Sequence, residues 1–74
     1  MKDYSKLIGL LMREKRLTKR LSLQQVADRL GNTRQTISLW ELGKVKITVH
    51  DLQRYCDVVG CNWLDILKRV SDEN

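Results

Sequence analysis

Apolar residues recur along this chain with the period of a helix, not the alternation of a strand. Tyr4, Leu7, Ile8 and Leu11 fall at i, i+3, i+4 and i+7, which predicts a helix starting at Asp3 or Ser5, either able to cap it, and ending near Arg16. Leu17–Leu21 reads as a basic connection or as a frayed continuation of that helix. Behind Ser22, a natural N-cap, the same spacing returns at Leu23, Val26, Ala27 and Leu30, and Gly31 with Asn32 ends the second helix because both tolerate left-handed backbone. Thr33 caps a third helix over about 34–42 that stops at Gly43. Thr48 opens a fourth, with Asp51 three residues on as a relative of the capping box. Val49, Leu52, Tyr55, Cys56 and Val59 line one face of it, and Gly60 closes it. Asn62 caps a fifth, whose Trp63, Leu64, Ile66, Leu67 and Val70 form a wide apolar face. The tail from Ser71 is expected to be disordered. No internal repeat, linker or low-complexity segment interrupts this series.

Length and composition narrow the class. With 74 residues the chain has room for one core, so a single domain over 1–74 with an ordered part of about 4–70 is expected. A hydrophobic fraction of 42% with no proline and 4 glycines suits short helices and brief connections, so the expected class is all-α. No apolar run reaches the roughly 18 residues of a membrane span, and the start Met1–Ser5 lacks a signal-peptide core, which places the chain in the cytoplasm by expectation.

Charge and cysteines add less. The formal net charge of +5 favours a polyanion, either nucleic acid or an anionic membrane surface. Arg13, Lys15, Arg16, Lys19 and Arg20 crowd one stretch with only Glu14 opposing them, although a solvated helix face would look the same. Cys56 and Cys61 lack metal-site spacing, and His50 is the single histidine, so neither a zinc site nor any other cofactor is expected. Cys56 lies on an apolar phase and reads as a buried thiol, and a reducing compartment disfavours a disulfide. Nothing joins His50 and Asp51 as a catalytic set, so an enzyme is not expected.

Most of the information lies in Leu21–Gly43, where two short helices are joined by a Gly-Asn-Thr turn that enforces close angular packing. Ala27 is small where the helices approach. In the third helix Ile37 and Trp40 face inward, and the opposite side holds Gln35, Leu39 and Leu42, with Ser38 at its edge and Arg34 at its flank. Such a face matches base edges and a thymine methyl. Taken alone, it also fits an ordinary surface helix with a stray leucine.

The ordered set L-S-x-x-x-V-A (Leu21–Ala27), G-x-T (Gly31–Thr33) and I-S-x-W-E-x-G-K (Ile37–Lys44), followed by Thr48, Leu52, Gly60 and a closing D-I-L, resembles the Cro/C1 type of phage and bacterial repressors, the XRE-like helix-turn-helix family. The resemblance spans about residues 6–68. It implies a compact five-helix, lambda-repressor-like domain with the third helix in the major groove of a double-stranded operator. On matching positions Arg34 and Gln35 would read base edges, Arg34 suiting guanine and Gln35 adenine, with Ser38 and Leu39 next in reach. Thr33, Thr36 and Lys44 would contact phosphates, joined by Lys46 through proximity. Leu23 stands where the family often has glutamine, so the backbone contact of that glutamine is lost or passes to Gln24. Further departures are Asn32 in place of a small apolar residue, Ile47 in place of proline, and a first connection about two residues longer than usual. Trp40 is expected in the core and Glu41 as a structural hydrogen-bonding partner.

One such domain presents few base-reading groups, so a repressor acting as a homodimer is expected, with part of the fifth helix, Trp63 with Leu64, at its contact unless both are simply core. A restriction-modification controller, an operon-repressing antitoxin, a Cro-like switch and a protein-interaction module on the same fold remain alternatives. No small-molecule effector is indicated.

Overall fold

The computed structural model describes residues 3–73, which form five helices: α1 (Ser5–Thr18), α2 (Leu23–Leu30), α3 (Arg34–Glu41), α4 (Val49–Val59) and α5 (Trp63–Asp72). None of them is long and apolar enough to cross a membrane.

The helix ends follow from local hydrogen bonding. At α2 a full capping box closes the start: the Gln25 N–H donates to Ser22 Oγ at 3.0 Å and the Ser22 N–H to Gln25 Oε1 at 2.8 Å. This satisfies two donors that the first turn would otherwise leave open. Thr33, Thr48 and Asn62 cap α3, α4 and α5 by accepting from the amides of Thr36, Asp51 and Leu64 at 2.9–3.1 Å. The Asp51 carboxylate lies 3.8 Å from Arg54 Nη1. Gly31, Gly43 and Gly60 all have positive φ, and each ends a helix by turning the next amide back onto a carbonyl, as Asn32 N–H does onto Ala27 at 2.9 Å.

Two boundaries differ from expectation. Helix α1 runs through Thr18 and is stopped by Arg20, whose φ of 57° is left-handed without being glycine. The Leu21 N–H then reaches the Arg16 carbonyl at 3.2 Å, so the stop has the geometry of a glycine cap without the residue that would announce it. At its start the N-cap position is Tyr4, and Asp3 Oδ1 accepts from the Ser5 N–H at 2.8 Å. Helix α5 includes Ser71 and Asp72, which were expected in a disordered tail; Asn74 lies outside the described residues. Val70 is half-buried against the core, and it anchors the turn that carries them.

Helix α4 supplies four of the buried apolar side chains. Its Leu52, Tyr55, Cys56 and Val59 are buried with Leu11 and Met12 of α1, Val26, Ala27 and Leu30 of α2, Ile37 and Trp40 of α3, and Ile66 of α5. Each large side chain buried in this way contributes about 1.5–3 kcal/mol relative to exposure. Cys56 is a free, buried thiol as its apolar phase indicated; burial first, and its neighbour Cys61 second, push it above the ordinary thiol range.

Candidate nucleic-acid interface

Three groups on α3 face inward. Ile37 and Trp40 are buried, as their spacing indicated, and Glu41 follows them on the last turn. Its carboxylate receives Arg16 Nε at 2.7 Å on Oε2 and Arg16 Nη2 at 2.9 Å on Oε1, a bidentate pair. The Tyr55 hydroxyl donates to Oε2 at 2.8 Å, with the Met12 carbonyl oxygen 3.0 Å away. The remaining Arg16 nitrogen, Nη1, donates to the Leu21 carbonyl at 2.8 Å. Helices α1, α3 and α4 therefore meet at the Glu41 carboxylate, with the α1–α2 connection tied to it through Arg16, and this fixes the end of α3 in position and direction. Arg16 and Glu41 are each only 6% exposed.

That burial corrects one expectation: Arg16 does not belong to an exposed basic stretch, because its charge is spent on Glu41. Its guanidinium pKa is raised by this hydrogen bond against the opposing effect of desolvation. Tyr55 is pushed far above the usual phenol value, chiefly by burial and then by its bond to Glu41. Removing one partner of a buried pair leaves an uncompensated charge, at a cost of about 3–5 kcal/mol.

The start of α3 is set by the turn from α2. Ala27 is fully buried at the helix crossing. Asn32, the departure from a small apolar residue, spends its side-chain oxygen on the Thr33 N–H at 2.8 Å and stays exposed. Position 32 therefore contributes local hydrogen bonding in place of apolar packing. Arg54 of α4 donates from Nη2 to the Leu30 carbonyl at 2.8 Å, satisfying an acceptor at the C-terminal end of α2 beside this turn.

On this frame Arg34 and Gln35 are exposed in the first turn of α3, and Ser38 and Leu39 are half-buried one turn later. Leu42, 53% exposed, ends the same face. Thr33 is exposed, Thr36 is half-buried, and their hydroxyls lie 2.9 Å apart at the helix start. Lys44 and Lys46 are exposed in the loop that follows. Gln24 is exposed in the first turn of α2, where its Nε2 donates to Asp28 Oδ1 at 2.7 Å. The base-reading candidates thus share one helix, with Thr33 and Thr36 at its start, Lys44 and Lys46 in the loop beyond its end, and Gln24 apart on α2.

Two contacts had no counterpart in the sequence reading. At Gly9 an added Cβ would run into the carbonyl oxygens of Trp40 and Glu41 and lie 2.7 Å from the Glu41 carbonyl carbon. At Gly43 it would lie 2.6 Å from Lys6 Cα. Helix α1 therefore rests directly on the end of α3 and on the loop beyond it. A glycine inside an otherwise regular apolar helix is the available signal for such an approach.

A helix-turn-helix family model (HTH_3) matches residues 12–66. No curated protein matches the sequence. Among solved structures, the clp gene regulator ClgR from C. glutamicum superposes with a TM-score of 0.88 at 19% sequence identity, covering 99% of this chain and 95% of that one. That similarity is one of fold: five helices in the same arrangement. With the family match spanning both helices of the motif and the anchoring residues around them, the chain belongs to the Cro/C1-type (XRE-like) helix-turn-helix family of DNA-binding transcriptional regulators.

Proposed function

We propose that this chain is a sequence-specific repressor that reads double-stranded DNA by laying α3 in the major groove. The observation that carries this reading is the division of α3 into two sides. Ile37, Trp40 and Glu41 hold it to the body of the protein, while Arg34 and Gln35 stand exposed at its leading end. Arg34 donates in a fork that matches guanine, Gln35 pairs with adenine in both directions, and Ser38 and Leu39 lie further along the groove. Thr33, Thr36, Lys44, Lys46 and Gln24 take phosphates, which supply most of the affinity and its salt dependence. The domain spans the whole 74-residue chain, works in the cytoplasm, and acts as a homodimer on half-sites about one helical turn apart.

Selection from a randomised duplex library at physiological salt tests this directly. Enrichment of a palindrome is the expected result; a folded protein that enriches no sequence contradicts it. On the selected duplex, Arg34→Ala should lower discrimination at one base position by about 1–3 kcal/mol. Lys44→Ala should instead weaken binding to all sequences alike. Equal, sequence-blind losses for both variants would remove the assignment of roles.

A further inference from the structure

Lys6 is the second residue of α1, remote in sequence from every position assigned above. In space it lies against Gly43. An added Cβ there would be 2.6 Å from Lys6 Cα, 2.7 Å from its backbone nitrogen and 2.9 Å from its Cγ. The two backbones are in van der Waals contact, and the lysine stem leaves α1 along the wall made by the loop. The next residue in that loop is Lys44, and Lys46 follows two residues later. All three lysines are exposed.

Between α1 and the loop lies an open cleft of about 210 Å³ bordered by Asp3, Ser5, Lys6 and Gly43. Neither Lys6 nor Lys44 makes a salt bridge among the described residues. The opposing charge at this cleft is Asp3, and its carboxylate is engaged by the Ser5 N–H at 2.8 Å and lies within electrostatic reach of Lys46. Three exposed lysines on two adjoining elements outnumber that carboxylate, and the positive excess favours an anion on this part of the surface. A phosphodiester chain suits the arrangement because it offers a row of single negative charges to point-charge donors on flexible stems.

We propose that Lys6 is a third phosphate-binding lysine of the DNA interface, alongside Lys44 and Lys46, so that the start of α1 and the α3–α4 loop hold one stretch of DNA backbone together. The inference rests on the DNA-reading proposal and extends its footprint onto a helix outside the helix-turn-helix.

The test is a salt titration of binding by fluorescence anisotropy, using the selected palindrome and a mixed-sequence duplex. Lys6→Gln keeps Cβ and the Cγ that lies over Gly43 and removes the charge. It should reduce the slope of log Kobs against log salt by about 0.9 for each bound copy, the share of one phosphate contact. Affinity should fall on both duplexes by a similar factor, and the unfolding transition should not move. Lys68→Gln, a charge deletion on α5, should leave the slope unchanged. Asp3→Asn should tighten binding to both duplexes, since it removes the opposing charge at the cleft. A wild-type slope in Lys6→Gln, or a loss matched by Lys68→Gln, would overturn the inference while leaving the DNA-reading proposal intact. A wild-type protein that binds neither duplex would instead count against DNA binding itself.

Discussion

A single hydrogen in place of a methyl decides how α1 crosses α3. Gly9 sits mid-helix, where glycine is less favourable than alanine by about 0.5–1 kcal/mol, so helix propensity alone would make Gly9→Ala stabilising. The packing reverses the sign. The new methyl would press on the backbone carbonyls of Trp40 and Glu41, which cannot rotate away as a side chain would. Overpacking of this kind costs about 1–3 kcal/mol, and urea unfolding of Gly9→Ala should show a net loss of stability. A variant as stable as the wild type would mean that α1 can lift away from α3 without cost. Residues such as Gly9 and Arg16 were poorly legible in the sequence for the same reason. Gly9 signals a close approach by its place in an apolar helix but not which element approaches, and Arg16 looks like its solvated neighbours Arg13 and Lys15 until Glu41, 25 positions away, is brought beside it. Glu41 itself was legible as a structural hydrogen-bonding group, but its partners were not.

Among elements, the hold on α3 has a pH signature. The Tyr55 hydroxyl must keep its proton to donate to Glu41, and both burial and that carboxylate raise its pKa in the folded protein. The unfolded chain releases this proton near pH 10. Stability from Tyr55 is therefore complete below about pH 10 and is lost as the pH rises towards the folded value. The buried Cys56 thiol, also raised, acts in the same direction from about pH 8.5 upward. Thermal unfolding followed from neutral to alkaline pH should show a progressive fall in Tm. Tyr55→Phe, less stable at neutral pH by about 1–3 kcal/mol, should decline less steeply. Parallel curves for the two proteins would contradict the role given to the hydroxyl. The helices themselves were largely legible, because Ser22, Thr33, Thr48 and Asn62 start four of them and glycines end three. Where these signals fail, so did the boundary. Arg20 adopts the left-handed conformation with no glycine to mark it, and the end of α5 is held by tertiary packing of Val70, which local sequence does not encode.

For the whole molecule, the open matter is how two copies would meet on a palindrome. Trp63 and Leu64 were read as a pair, but they part company: Trp63 is half-buried and packs on the core, while Leu64 is 55% exposed. A homodimer contact through α5 would therefore be carried by Leu64. Leu64→Asp should fold normally and lose affinity for the palindrome, with little change on an isolated half-site, and sedimentation with the palindrome should show one bound copy where the wild type shows two. Equal affinity of both proteins for the palindrome would remove α5 from the contact. At the proposed DNA interface, the outward positions of α3 were legible because helical geometry separates inward from outward positions at sight. Lys6 was not, since its place beside Gly43 depends on how α1 folds across the molecule. The division of α3 into an anchored side and an open side also bears on how such a regulator can change over evolutionary time. Ile37, Trp40 and Glu41 are buried and hold α3 to the fold, while Arg34 and Gln35 are exposed. With the base-reading role proposed for the exposed pair, substitutions there redirect the protein to a new target sequence while its stability stays where it was, so a duplicated copy can drift to a new address without first passing through an unfolded ancestor.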